Sequence, residues 1–151
     1  KKKYHHVDLG FNYRMTNMQA ALGLAQTEKL DIILQLRNDQ MNYYYDRLSN
    51  VKGIHLRKFS DWCTPVHWIM TISLDPKYNR NDFIHYMKKE GIDCRQMVNP
   101  VNEADHFIEK FQDLFPVSKK ISNSSVHLPS STGLTHEQID FIVKKIKEFL
   151  K

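Results

Sequence analysis

Val66-His67-Trp68-Ile69-Met70-Thr71-Ile72-Ser73-Leu74 is the stretch on which the fold turns. β-branched and aromatic residues crowd it, as suits a pleated, half-buried surface, and Asp75-Pro76 closes it. A strand is predicted over residues 66–74, with Trp68 in the core. Downstream, Asn79 or Asn81 opens a helix in which Phe83, Ile84, Met87 and Lys88 fall in period. Gly91 closes that helix where a left-handed residue is wanted. Residues 92–98 return as a strand and stop at Asn99-Pro100, and Ile54-His55-Leu56, released by Gly53, is a shorter candidate.

Around this strand–helix–strand unit the periodicity is helical. Met18, Ala21, Leu22 and Ala25 make one apolar stripe from Asn17 onward, and small Ala20, Ala21 and Gly23 allow close approach to it. The pattern continues through Leu30, Ile33 and Leu36 to Tyr44 and Leu48. That is too long for one typical helix, so a bend is expected near residues 29–31 and a second helix to about Ser49. Further helices are expected over residues 103–111 and 117–124. Thr135-His136-Glu137-Gln138 has capping-box spacing and opens a last helix ending at Phe149-Leu150. The class that follows is α+β: long N-terminal helices, then a small mixed or antiparallel sheet covered by helices on one side.

Composition narrows the function classes. The 151 residues are 41% hydrophobic and 26% charged, an ordinary balance for one globular domain with a real core. The net charge of +5 comes largely from Lys1-Lys2-Lys3 and the lysines of the last helix. No nucleic-acid reader motif accompanies it, so no nucleic-acid partner is expected. No apolar run reaches the ~18–20 residues that cross a bilayer, so no membrane partner is expected. Cys63 and Cys94 stand far apart without CxxC spacing; free thiols in a cytoplasmic setting are the simplest reading, with one disulfide left open. The remaining histidines, His55, His67, His85, His106, His127 and His136, show no metal-ligand spacing, and Asp105-His106 are adjacent residues that do not face each other on a helix. No metal is expected. Tyr43-Tyr44-Tyr45 reads as core or interface.

The chemistry concentrates in Gly10-Phe11-Asn12-Tyr13-Arg14-Met15-Thr16-Asn17. A glycine-relieved loop presents an amide donor, a phenol and a guanidinium fork just before a helix that Thr16 or Asn17 can cap. A bidentate cation, a neutral donor and the positive end of a helix together suit a phosphate.

Tyr4-x-His6, the Gly10–Asn17 wording, Ala20-Ala21-x-Gly23-x-Ala25-Gln26 and the closing Leu128-Pro129…Leu134-Thr135-x-Glu137-Gln138-Ile139 resemble the DegT/DnrJ/EryC1/StrS family of sugar aminotransferases, in its perosamine-synthase-like branch. The resemblance covers nearly the whole chain and implies the C-terminal portion of such an enzyme, dependent on pyridoxal 5'-phosphate. It implies that residues 1–30 belong with the large domain and dimer interface and that residues 31–151 form the small C-terminal domain of a fold-type-I aminotransferase. Asn12 and Arg14 are then cofactor-binding, Asn12 reaching the phosphate of the neighbouring subunit of a homodimer. Arg14, Tyr13, His6 and Arg95 are implied on the side of the substrate, a nucleotide-linked keto-sugar, with an amino acid, commonly glutamate, as donor. The family's cofactor-linked lysine and the acid facing the pyridine nitrogen lie upstream of the opening motif; Lys29 and Lys88 fall on solvated helical faces. No catalytic residue is expected in this chain, which alone would be inactive; a non-catalytic, dimerising relative is the other reading. Arg95-Gln96-Met97-Val98-Asn99-Pro100 departs from the family's arginine followed by aromatics, a proline and a histidine, which bears on the choice of sugar.

Overall fold

A computed structural model describes residues 10–104 and 114–151. The expectations for Tyr4 and His6, and most of the helix expected over residues 103–111, lie outside the described residues. The chain divides into two compact units between Ile32 and Ile33.

The first unit holds the loop from Gly10 and helix α1 (Asn17–Thr27). Thr16, not Asn17, is the N-cap: its hydroxyl accepts from Gln19 N–H at 3.3 Å, and Gln19 Oε1 accepts from Thr16 N–H at 2.9 Å. This capping box satisfies two orphan donors at once. None of the residues of α1 is buried, and Met18, Leu22 and Leu24 stand exposed. The expected break falls at Glu28-Lys29, and α2 (Leu30–Leu48) follows.

The second unit carries the core. Met41, Tyr44 and Leu48 recur on one face of α2 and are buried there, and the Tyr44 hydroxyl donates to Pro129 O at 3.0 Å. Four strands, β1 (Ile54–Leu56), β2 (Thr71–Leu74), β3 (Arg95–Gln96) and β4 (Ser125–His127), form an antiparallel sheet ordered β1-β2-β4-β3. Between them run α3 (Arg80–Lys89) and α4 (Pro116–Ser124), and α5 (His136–Phe149) ends the fold. The α+β class and the small sheet are as the sequence predicts.

The sheet has one apolar and one polar face. Leu56, Ile72 and Val126 align across β1, β2 and β4 beside the Ile54–Leu74 pair, and join Phe83 and Met87 of α3 and Ile139, Ile142, Val143 and Ile146 of α5 in the core. Side chains alternate along a strand, so the other rows hold His55, Ser73 and Ser125, and then Thr71, His127 and Arg95. These polar side chains bond across the sheet: Ser73 to Ser125 at 2.7 Å, Thr71 Oγ1 to His127 Nδ1 at 2.8 Å.

Local signals set the element ends. Asn79 Oδ1 accepts from Asn81 and Asp82 N–H at the start of α3, and Gly91 leaves it at φ +78°. The Thr135/Gln138 capping box opens α5 as expected. Gly53 sits at φ +96°, and a Cβ there would lie 2.8 Å from the ring of Tyr78. Gly53→Ala is therefore expected to destabilise the chain by about 1–3 kcal/mol, read from the urea midpoint, the left-handed strain adding to the clash.

Two strand expectations need correction, and one strand was not expected at all. β2 starts at Thr71, not Val66, because the preceding backbone is held elsewhere: Trp68 N–H turns back on Val66 O, Trp68 O accepts from Arg37, and Met70 N–H donates to Ser130 Oγ. Trp68 is 75% exposed and not in the core. β3 spans two residues of the expected seven, since Ile92 N–H folds back to Met87 O and Val98 O accepts from Ser122 Oγ. β4, a central strand, has no counterpart among the expected elements; it follows α4 directly, and Ser-Val-His offers one apolar residue for a period to show.

Candidate phosphate loop and an apolar groove

Asn12, Tyr13 and Arg14 occupy one exposed loop of the first unit. Asn12 Oδ1 accepts from Arg14 N–H at 3.1 Å, an Asx turn, so its oxygen is spent on the backbone and its amide N–H groups remain to donate. Tyr13 is 91% exposed and its ring stacks on Phe11, centroids 5.9 Å apart. Among the described residues no carboxylate pairs with Arg14. The loop runs into the N-cap of α1, where the capping box claims the N–H of Gln19 and the first-turn N–H groups carry the positive end of the helix. An amide, a guanidinium and a helix N-terminus make a donor set, with nothing in it to repel an anion.

Arg95 belongs to the second unit. Its Nη2 lies 3.4 Å from Asp93 Oδ2, and both side chains are 78% exposed. Such a bridge contributes little and leaves the guanidinium exchangeable. Arg95 and His127, directly opposite on β3 and β4, line a groove of about 670 Å³ walled mainly by Ile69, Pro129, Leu134 and Phe141. Nothing in the sequence marks His127 as a groove residue, because the strand that places it carries no local signal.

Burial holds the pKa of His127 below the ordinary histidine value, and that of His67, which packs against Phe59, is lowered in the same way. The unfolded chain therefore binds these protons more readily than the folded one. Stability is unaffected by them above the unfolded value of about 6.5 and falls as the pH drops below it. His127→Gln is expected to flatten part of that acid-side loss in a series of urea melts, with His67 keeping the remainder.

The cysteines are both free thiols. Cys94 is buried, and desolvation first, then the Asp93 charge, pushes its thiol up to about 12, so it stays protonated. Tyr44 is core, while Tyr43 stacks on His136 at 3.8 Å and donates to Asp140, joining α2 to α5. Among the described residues no three His, Cys, Asp or Glu side chains gather closely enough to hold a metal ion, and no helix is long and apolar enough to cross a membrane.

Comparison with known proteins decides the family. The profile of the DegT/DnrJ/EryC1/StrS aminotransferase family matches residues 1–147. The chain belongs to this family. Among its aminotransferase relatives, GDP-perosamine synthase of Vibrio cholerae is 30% identical over 153 residues, covering 98% of this chain and 41% of that protein. GDP-perosamine synthase of Escherichia coli O157:H7 is 28% identical over 148 residues, with 98% and 40% covered. The chain thus spans about 40% of the length of the curated relatives it matches. EpsN of Bacillus subtilis, 26% identical over 141 residues with 89% and 36% covered, carries pyridoxal-phosphate dependence in its name. In fold, the chain superposes on DesV of S. venezuelae with a TM-score of 0.85 at 21% identity, covering 100% of this chain and 41% of that one. The sugar aminotransferase CalS13 of Micromonospora echinospora gives 0.81 at 19% identity, with 92% and 37% covered. The chain therefore shares the fold of the matched 37–41% of these structures.

Proposed function

We propose that this chain is the C-terminal part of a pyridoxal-phosphate-dependent aminotransferase that aminates a nucleotide-linked keto-sugar. The observation that carries the reading is the Gly10–Asn17 loop: Asn12 has its oxygen bound to the backbone, beside an Arg14 that no carboxylate among the described residues bridges and a capped helix start. The membership and the perosamine synthase relatives support the substrate class.

The donor set fits a phosphate, so Asn12 and Arg14 are the residues that would hold the cofactor phosphate. When bound, pyridoxal phosphate supplies the electrophilic carbonyl and the electron sink through which an amino group passes from one carbon skeleton to another. This chain's residues bind and orient. Asn12 donates its amide N–H to the phosphate. Arg14 would offer a fixed cation to that phosphate or to the pyrophosphate of the sugar nucleotide, and Tyr13 an exposed phenol beside it. The resemblance also assigns His6, on the same stretch of sequence, to the substrate. Arg95 presents an exchangeable guanidinium to an anionic portion of the substrates. Residues 1–30 act at the large domain and homodimer interface, where the Asn12 loop serves the neighbouring subunit, and residues 31–151 are the small domain. The amino donor is an amino acid, glutamate in the first instance, and the enzyme works in the cytoplasm. The chain by itself lacks the cofactor-linked lysine and is inactive.

The test uses the whole natural polypeptide with glutamate and a nucleotide-linked keto-sugar. The expected result is stoichiometric 2-oxoglutarate and amino sugar, and an absorbance of bound cofactor that borohydride abolishes. A full-length protein that neither binds the cofactor nor consumes glutamate refutes the reading.

A further inference from the structure

We propose that the segment from Trp62 to Trp68 is the surface on which the upstream part of the full polypeptide seats, with Trp68 as the anchor of the contact. This rests on the reading that the chain is a C-terminal portion. It goes beyond that reading by placing a domain contact on the second unit and not on residues 1–30. Trp62 is 87% exposed, Val66 74% and Trp68 75%. Large apolar side chains grouped in water mark a surface that something else covers.

The loop is built to hold these side chains out. Trp68 O accepts from Arg37 Nη1 at 2.7 Å, Trp68 N–H donates to Val66 O at 3.0 Å, and Met70 N–H donates to Ser130 Oγ at 2.8 Å. The Ser130 hydroxyl donates in turn to Leu128 O at 2.9 Å, so this anchor is itself fixed. On the other arm the Phe59 ring stands edge-on to His67, centroids 5.4 Å apart, and the Tyr45 hydroxyl donates to Arg57 O. An indole on a backbone tied in this way is ordered before it is covered, so less entropy is lost on contact.

Charge selects the partner's chemistry. Residues 62–74 contain no Lys, Arg, Asp or Glu, in a chain that is 26% charged. Charge depletion with tryptophan enrichment belongs to the centre of a contact between protein surfaces. The stretch offers no ammonium or guanidinium to a nucleic acid or an acidic headgroup. Length selects the occupant. The match covers 98% of this chain but 40–41% of the perosamine synthases, which leaves about three fifths of their length outside it. A tethered domain of that size meets the loop at high effective concentration, so a modest apolar patch suffices to seat it.

The experiment is hydroxyl-radical footprinting of the whole natural polypeptide, free of cofactor and sugar nucleotide, beside the 151-residue chain. Trp62 and Trp68, the two tryptophans of the chain, are expected to oxidise readily in the chain and to be protected in the whole polypeptide. Trp68→Ala should raise the oxidation of Trp62 in the whole polypeptide by up to about 30-fold, the worth of a hot-spot tryptophan, while Trp68→Phe keeps most of the protection. The alanine variant should leave the urea midpoint of the 151-residue chain unchanged, because the ring it removes is exposed. Equal oxidation of Trp68 in the two proteins overturns the proposal. So does protection that appears in the concentrated chain alone, which gives the surface to a second copy, or protection that needs the sugar nucleotide, which gives it to a ligand. An alanine variant that lowers the midpoint of the chain as much as that of the whole polypeptide also overturns it, since Trp68 then supports the fold. Protection without glutamate consumption refutes only the aminotransferase reading, and amino transfer with both tryptophans open to oxidation refutes only this one.

Discussion

Replacing Phe83 by alanine is expected to cost the chain about 3–5 kcal/mol, more than the strained glycine at position 53 stands to lose. Phe83 is 0% exposed and lies where α3 meets α5. Its ring stands edge-on to Phe149, centroids 5.1 Å apart at 89°, and Phe149 in turn touches Tyr78 and Tyr86. Removing the ring forfeits its transfer free energy, the quadrupole pairing and the dispersion contacts of the cavity left behind. The neighbours cannot close the gap, because Phe149 is tied to two other rings and Tyr78 is anchored by its hydroxyl on Leu150 O at 2.7 Å. Against a typical domain stability of about 5–15 kcal/mol, the variant is expected to be partly unfolded at 37 °C. Urea unfolding followed by circular dichroism checks this, and a loss below about 1 kcal/mol would mean that Phe83 is not packed as described. Phe83→Leu, which keeps much of the volume, should retain most of the stability.

The second large effect concerns the cofactor and depends on the whole polypeptide. Asn12→Ala and Arg14→Gln are each expected to weaken pyridoxal-phosphate binding by about 10- to 100-fold, the worth of a hydrogen bond to a charged group. Neither side chain supports the fold: both are exposed, and the helix behind them is capped by Thr16. Asn12→Asp separates the two duties of this residue. It keeps the oxygen that accepts from Arg14 N–H, and with it the Asx turn, but replaces the amide donor with a negative charge. It should therefore bind cofactor more weakly than the alanine variant. Wild-type affinity for the aspartate variant, by spectral titration, would show that Asn12 shapes the loop and donates nothing to the phosphate.

The helices are legible in the sequence because each is written locally. The caps at Thr16, Asn79 and Thr135 and the glycine after α3 act through residues within one turn, and the buried positions of α3 and α5 repeat at helical spacing. The strands are harder to read. Residues 66–70 have strand composition, yet their backbone is satisfied by Arg37, Ser130 and a tight turn, none of which a local window contains. Trp68 departs from expectation for the same reason: a large apolar residue beside a strand is expected inside, and the end of the ladder leaves it outside. The site divides likewise. Asn12, Tyr13 and Arg14 are neighbours in the chain, so their convergence is readable without any fold. The pairing of Arg95 with His127 is not, since the two lie far apart in the chain and a strand of three residues joins them.

Residue order alone thus settled the class of the domain and the boundaries of most described helices, and it marked the loop proposed to take a phosphate, all through interactions that span a few positions. Strand extents, the polar face of the sheet and the apolar groove were decided only when the chain closed on itself. A ladder hydrogen bond needs a partner from a distant segment, and which segment arrives is set by the packing of the whole core.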